Sequence, residues 1–354
     1  MSKFFSAKYA ALTPYVPGEQ PKDAQYVKLN TNESPFLPPA SVVEAARIEA
    51  GKLHLYSDPE STKLTEKAVE VLGVKKGQVL MTNGSDEALN FAFMAFCDEN
   101  NPIVFPDITY GFYPVFAELN HIPYETIALE EDFSIDYRKY VGIGKNIVIA
   151  NPNAPTGLAL SRDEIEEIVK SNPNHVVIID EAYVDFGGES CVSLIDQYDN
   201  LLVTQTFSKS RSLAGGRLGM AIGNEKLIAD LNTIKYSTNP YNVNSMTLAA
   251  GLGTMEDEAY TKINCQTVQK NRDFLANELA KMGFEQTPSL ANFIFAKHPK
   301  IDGGELYARL RERGILVRHF TKEKISQYNR ITVGSREQMT ELISAISEIL
   351  EERK

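Results

Sequence analysis

Lys209 stands in Thr204-Gln-Thr-Phe-Ser-Lys-Ser-Arg-Ser-Leu-Ala-Gly-Gly-Arg217, directly after a strand-like run, Leu201–Thr206. Hydroxyls flank it and an arginine follows a Gly-Gly turn. A lysine amine can condense with an aldehyde to an imine, and hydroxyls plus a guanidinium can hold a dianion beside it. The group therefore fits a Schiff-base cofactor that carries a phosphate tail. Ser-Lys pairs are also common on protein surfaces, so a solvated lysine is the competing reading unless a partner is found.

The stretch Val176-Val-Ile-Ile-Asp-Glu-Ala-Tyr183 supplies that partner. Four consecutive β-branched residues predict a strand buried on both faces of a parallel sheet. Ligands of open α/β sheets bind beyond the carboxyl ends of the strands, where Asp180 would lie. A carboxylate there is costly unless paired. A pyridinium nitrogen would pair with it, and keeping that nitrogen protonated makes pyridoxal phosphate an electron sink. Tyr183 lies three residues on and could donate to the phenolic oxygen of the same ligand. The alternative for Asp180 is a cap on the segment that follows. A third element, Asn83-Gly-Ser-Asp-Glu-Ala-Leu89, follows a strand-like run and opens a helix. Free N–H groups at a helix start favour an anion, and Gly84 permits its close approach. A simple cap by Ser85 or Asp86 is the alternative there.

Taken in order, Asn83-Gly-Ser-Asp-Glu-Ala88, Asn151-Pro-Asn-Ala-Pro-Thr-Gly157, Asp180-Glu-Ala-Tyr183 and Ser208-Lys209 with Arg217 resemble the motif set of the fold-type-I pyridoxal-phosphate aminotransferases. Thr13-Pro-Tyr15, Leu29-Asn-Thr-Asn-Glu33 and Arg330-Ile-Thr-Val-Gly334 resemble the histidinol-phosphate aminotransferase branch. The resemblance runs from about residue 13 to the C-terminus. It implies transfer of an amino group between L-histidinol phosphate and 2-oxoglutarate, with pyridoxal 5′-phosphate as cofactor and Lys209 as the catalytic base. It further implies that Gly84, Ser85, Asp86, Thr206, Ser208 and Arg217 hold the cofactor phosphate. Tyr110 would stack on the ring, although a buried core tyrosine is the plainer alternative. Tyr15, Asn32, Arg318 and Arg330 would face the substrate, where a bidentate guanidinium accepts phosphate or carboxylate alike. Tyr56 would cross a homodimer interface to the partner's cofactor phosphate.

Two places depart from the family pattern. The family usually has asparagine directly before Pro-Thr-Gly, hydrogen-bonded to the cofactor's phenolic oxygen; here Ala154 stands there. Asn153 or Asn151 could compensate with an altered backbone, and Asn153 is taken as a candidate cofactor contact. Ser210-Arg211-Ser212 replaces the small-aromatic pair often seen after the lysine. Arg211 could be a surface charge or a second cation that lowers the pKa of Lys209. Competing functions on the same fold are an aromatic-amino-acid aminotransferase and a decarboxylase of a phosphorylated hydroxy amino acid. A pyridoxal-phosphate-dependent regulator would need a DNA-binding domain in addition.

The elements that must position these residues follow from periodicity. The chain has 354 residues, of which 43% are hydrophobic and 23% charged, enough for one large domain and a smaller one. A proline-rich arm over 1–39 reads as extended. From 40 to 239, helices alternate with strands at Gln78–Asn83, Ile103–Phe105, Asn146–Ala150, Val176–Asp180, Leu201–Thr206 and Gly219–Gly223. That pattern predicts a doubly wound, mostly parallel α/β domain that binds the cofactor. Ser161-Arg-Asp-Glu164 predicts a capping box, and Gly142-Ile-Gly-Lys145 a turn rather than a phosphate loop. Residues 240–354 read as a smaller α+β domain. It comprises a helical stretch to about Met282, strands Asn292–Ala296, Ile315–His319 and Asn329–Val333, and a closing helix with Met339, Leu342, Ile343, Ile346, Ile349 and Leu350 on one face. The resemblance implies that the arm joins this domain and that the site lies between the two.

The net charge of −11 argues against nucleic acid or an anionic membrane as partner. No apolar run approaches spanning length, and no signal-peptide core precedes Pro14. Three scattered cysteines fit a reducing cytoplasm, and five isolated histidines offer no metal-ligand spacing.

Overall fold

The computed structural model describes residues 2–22 and 24–353. The arm contributes one short strand, β1 (Val27–Lys28). Then come β2 (Val79–Thr82), β3 (Ile103–Pro106), β4 (Tyr124–Ile127), β5 (Asn146–Ala150), β6 (Val177–Asp180), β7 (Leu201–Thr206) and β8 (Gly219–Gly223). These last seven form one sheet in the order β2-β8-β7-β6-β5-β3-β4. All pairings are parallel except those of β8, which runs antiparallel to β2 and β7. The fold is α/β, as its apolar runs predict.

Alternation along the central strands assigns their side chains to two layers. Ile147, Ile149, Val177, Ile179, Leu201 and Val203 face one core; Val148, Ala150, Ile178 and Leu202 face the other. Helices α1 (Ala40–Ala50) and α2 (Thr62–Leu72) precede β2, and α3 (Ser85–Phe96) and α4 (Phe112–Leu119) flank β3. They are followed by α5 (Arg162–Ser171), α6 (Glu225–Thr238) and α7 (Ser245–Glu256). Leu64 and Ala68 of α2, Ile165, Ile168 and Val169 of α5, and Ala250 of α7 cover the first face. Apolar residues of α3, α4 and α6 cover the second. The capping box at Ser161 forms, with Glu164 returning to the Ser161 N–H. Strand β4 and helix α4 lie outside the expected elements: β4 is an edge strand with no alternation in burial, and α4 is short, although Tyr113, Phe116 and Ala117 line its buried face.

The helical stretch after residue 239 is two helices. Asp257 breaks it with a non-helical backbone and accepts from the Tyr260 N–H, opening α8 (Glu258–Lys281). From α8 onward a second core forms with β9 (Glu285–Gln286), β10 (Phe293–Lys297), α9 (Gly303–Glu312), β11 (Ile315–Leu316), β12 (Arg318–His319), β13 (Asn329–Thr332) and α10 (Arg336–Glu351). A four-stranded antiparallel sheet runs β12-β13-β10-β9. The expected strand Ile315–His319 is split because its two ends have different partners. β11 pairs parallel with β1 of the arm, whereas β12 pairs with β13, and buried Val317 marks the exchange. Leu29 joins this second core, so the arm is stitched to it.

One glycine fixes how closely the large sheet approaches α3. A Cβ on Gly219, at the start of β8, would lie 2.3 Å from the Ser85 amide nitrogen and 2.5 Å from the Gly84 carbonyl carbon. Gly219→Ala is therefore expected to destabilise the protein by about 1–3 kcal/mol through overpacking, read as a lowered urea midpoint. An unchanged midpoint would show that α3 can shift freely.

Candidate active site

The carboxyl ends of β6 and β7 bring Asp180 and Lys209 to one cavity of about 340 Å³ between the large sheet and the arm. Ser85, Asp86, Tyr110, Tyr183, Thr206, Ser208 and Arg217 line it, as do Gln20, Thr31 and Glu33 of the arm. A second cavity of about 480 Å³ shares Gln20, Thr31, Tyr110, Ala154, Tyr183 and Lys209 with the first, so the two are lobes of one site. The second lobe adds Tyr15, Asn32, Arg318, Lys322 and Arg330.

At one end of the first lobe lies a cradle for an anion. Gly84 is the N-cap of α3 and no side chain caps its first turn, contrary to a cap by Ser85 or Asp86. The first N–H groups are thus left for a ligand. Gly84 has φ of +77°, and a Cβ there would meet the Arg217 guanidinium at 2.7 Å. Arg217 Nη1 donates to Ser208 Oγ at 3.4 Å, and Nη2 donates to Asp86 Oδ2 at 3.2 Å. Thr206 Oγ1 donates to Ser208 Oγ at 3.0 Å. The other oxygen of Asp86 accepts from the Tyr110 hydroxyl at 2.8 Å. Its carboxylate therefore holds neighbours in place, and the backbone of the α3 first turn is what faces an anion.

Asp180 lines this lobe too and is only 3% exposed. It accepts from the Tyr113 hydroxyl at 3.0 Å, the Thr204 hydroxyl at 3.1 Å and the Ala182 N–H. Among the described residues no cation pairs with it. Withdrawal from water outweighs these hydrogen bonds and pushes its pKa up to about 6. A role in the local turn and an unmatched charge therefore coexist. Tyr113, in the first turn of α4 and three residues after Tyr110, is a functional partner missed in the sequence; its only cue was that spacing.

Lys209 lines the same lobe. Its Nζ donates to the Thr31 carbonyl at 3.2 Å and sits 6.0 Å from the centre of the Tyr183 ring. Desolvation first, then the positive charge of Arg330, lowers its pKa to about 8; Glu33 and Asp86 oppose the shift. Arg211, open to reading as a surface charge or a second cation beside the lysine, is instead covered and paired. Its guanidinium lies on Glu258 at 2.5 Å and on the Thr254 carbonyl at 3.3 Å, so it ties the lysine loop to the start of α8. Glu33, half-buried and bonded to Lys28 and Thr31 at 2.7 and 2.8 Å, acts on the lysine's charge as well, which its place in Leu29–Glu33 does not reveal.

Tyr183 accepts from Asn32 Nδ2 at 2.9 Å, which leaves its own O–H free to donate into the cavity. Asn32 is buried with φ of +56°, locked by Thr332 through bonds of 2.9 and 3.1 Å. Arg330 donates to the Asn30 carbonyl at 3.2 Å, and its Nε is buried with no partner. Burial lowers its pKa. Arg318 rests on the Val16 and Pro17 carbonyls at 3.3 and 3.4 Å. Among the described residues neither arginine has a carboxylate partner. Tyr15 packs on Phe112, with ring centres 4.3 Å apart.

Two candidates are not brought in. Asn153 is fully buried, but its amide is used by Thr109, the Ile108 carbonyl and Thr156 at 2.7–3.2 Å, away from the cavity. It cannot replace the missing asparagine, since Ala154 is what lines the site. Tyr56 stands 82% exposed, stacked on Tyr241 at 4.4 Å, outside the cavity. Gly142–Lys145 is a turn with Gly142 and Gly144 at positive φ, as expected. Among the described residues no group of His, Cys, Asp and Glu could hold a metal ion.

The sequence matches the family described as aminotransferase class I and II over residues 24–346. It is 49% identical to "Histidinol-phosphate aminotransferase 2" of Dechloromonas aromatica (strain RCB), covering 99% of each chain. It is 48% identical to "Histidinol-phosphate aminotransferase" of Pseudomonas putida (strain W619), covering 98% of this chain and 100% of that one. Among solved structures it resembles histidinol-phosphate aminotransferase from Sinorhizobium meliloti in complex with pyridoxal-5′-phosphate, with a TM-score of 0.86 and 21% identity over 93% of this chain and 92% of that one.

A lysine held near pKa 8 is a nucleophile at neutral pH. Labelling of Lys209 by trinitrobenzenesulfonate, followed by peptide mapping, is expected to rise with pH to a plateau with its midpoint near 8. An ordinary lysine reaches that midpoint near 10.4. A profile for Lys209 that tracks the ordinary lysines would remove the basis for its role.

Proposed function

The chain belongs to the class I and II aminotransferases, in the histidinol-phosphate aminotransferase branch, and from that membership we propose that it interconverts L-histidinol phosphate and 2-oxoglutarate with imidazole-acetol phosphate and L-glutamate. The observation that carries this reading is Asp180, a buried carboxylate without a cation among the described residues, sharing one cavity with an anion cradle and a low-pKa lysine. Those three features fit pyridoxal 5′-phosphate in charge and order. The cradle formed by Gly84, Ser85, Asp86, Thr206, Ser208 and Arg217 would take its phosphate, Lys209 its aldehyde carbon and Asp180 its ring nitrogen. When bound, it supplies the means of delocalising an electron pair from the substrate α-carbon.

Each side chain then has a defined task. Asp180 keeps the ring nitrogen protonated, because a carboxylate that has no other cation gains most from that charge. Tyr183 donates its free hydroxyl hydrogen to the phenolic oxygen and does so without asparagine at position 154. Tyr110 covers one face of the ring. Lys209, deprotonated more readily than an ordinary lysine, would take the proton from the substrate α-carbon and return it to the cofactor carbon two bonds away, across the nitrogen. The Arg330 guanidinium holds the anionic group nearest that carbon, with its unpartnered Nε available for a second parallel bond. Tyr15 and Asn32 close the substrate side.

Tyr56 and Leu53, Leu55 and Tyr241 around it are exposed. In the homodimer proposed here they are covered, and Tyr56 reaches the partner's phosphate site. No helix among the described residues is long and apolar enough to cross a membrane, and the reading places the enzyme in the cytoplasm.

Purified protein with pyridoxal phosphate is expected to form glutamate from 2-oxoglutarate faster with histidinol phosphate than with phenylalanine or tyrosine. A preference for the aromatic amino acids would reassign it to that transaminase class. Carbon dioxide release without an oxo acid would make it a decarboxylase. Lys209→Ala should abolish multiple turnover, and Arg330→Lys should fall short of wild type by at least about tenfold in kcat/KM, roughly 1.4 kcal/mol, since an ammonium cannot form two parallel bonds. Lys tolerated at Arg330 would mean that charge alone matters. For the shared site, inactive Lys209→Ala chains refolded with Tyr56→Ala chains should regain activity through mixed dimers that hold one intact site. No regain, with each variant folded, would place Tyr56 outside the site.

A further inference from the structure

The second lobe poses a charge problem that the two arginines do not solve. It rests on the reading above: one ligand, the phosphorylated amine, carries a single anionic group, whereas glutamate and 2-oxoglutarate carry two. The anion next to the reacting carbon meets Arg330, the cation with the strongest electrostatic effect on Lys209. The far carboxylate of the dicarboxylate must occupy the place that a neutral imidazole occupies in the other half-reaction. A permanently aimed cation there would be left facing an uncharged ring.

We infer that Lys322 is a retractable cation that reads the distal carboxylate of the dicarboxylate substrate. It lines the same lobe as Arg318 and Arg330 but is exposed, on the loop between β12 and β13. Arg318 is the in-register neighbour of Arg330 across β12 and β13, whereas Lys322 stands four residues further along, outside the sheet. Its Nζ donates to a neutral acceptor, the Asp107 carbonyl, at 2.6 Å. The nearby Asp107 carboxylate is occupied elsewhere, accepting from the Leu129 N–H at 2.9 Å and facing Lys324 at 3.6 Å. Among the described residues Lys322 therefore has no ion pair to break. Swinging it onto a carboxylate exchanges an ammonium–carbonyl hydrogen bond for an ammonium–carboxylate one, in which both partners are charged. When imidazole fills the lobe, the lysine stays on the carbonyl.

Titration calorimetry of the holoenzyme with two unreactive probes tests this, glutarate for the dicarboxylate and propyl phosphate for the phosphate monoester. Lys322→Gln should weaken glutarate three- to tenfold and leave propyl phosphate within twofold, and Lys322→Arg should restore most of the glutarate affinity. Equal weakening of both probes, a loss confined to propyl phosphate, no change, or a wild type that fails to bind glutarate would each overturn the inference. Because neither probe turns over, these results stand apart from the assay with histidinol phosphate, whose failure would instead defeat the transaminase assignment.

Discussion

The structure depends on holding charges out of water without cancelling them. Asp180 is nearly inaccessible and has only hydrogen bonds for company; Arg330 is half-buried with its Nε enclosed and unpartnered; Lys209, in the same site, has its pKa drawn down to about 8. Unpaired buried charge is costly, and proteins ordinarily neutralise it by ion pairing. Here the matching charges are a ligand's to supply. The two hydrophobic cores make the arrangement tolerable by fixing the backbone around it. The fully buried β5 and β6, and the buried first part of β7, close off Asp180 on every side but the cavity, and the neutral hydroxyls of Tyr113 and Thr204 soften its isolation without ending it.

The two ends of the site are treated differently, and the difference follows from what each must hold. At the anion cradle Arg217 is partly accessible and balanced by Asp86, so its position is set by a carboxylate that also orders Tyr110. Backbone N–H groups at the start of α3 supply what that balance removes. At the ring end no balance is present, because the charge of Asp180 must remain available. The aminotransferase assignment and this asymmetry agree: a phosphate gains from many modest donors, a ring nitrogen from one strong charge.

The arm is a wall of the site and not an appendage. Thr31 takes the lysine proton donor, Asn32 orients Tyr183, and the Val16 and Pro17 carbonyls receive Arg318. Pairing of β1 with β11 and burial of Leu29 in the second core bind these residues to the strands that carry Arg318 and Arg330. Movement of the second core relative to the large sheet would therefore move the substrate contacts and the lysine's hydrogen-bond acceptor together.

Local chemistry was legible in the sequence. A β-branched run ending in Asp180, a strand ending at a lysine between serines, and a glycine opening α3 each depend on a few consecutive residues, and each occupies the expected place. Strand and helix patterns were readable for the same reason, since periods of two and 3.6 are set by backbone geometry. What joins residues far apart in the chain was not. Tyr113 reaches Asp180 across 67 positions and Lys209 meets Thr31 across 178, contacts that exist only because of the order in which strands are laid down. The same holds for the exchange of partners at Val317 and for Arg211, which reads locally as a free cation but finds Glu258 at the start of α8. Asn153, adjacent in sequence to the vacant family position, was decided by backbone direction, which turns its amide toward Thr109 and Thr156. Residue types and short spacings determined which groups could do chemistry; the packing of two cores and an arm decided which of them meet, and which are left without a counter-charge.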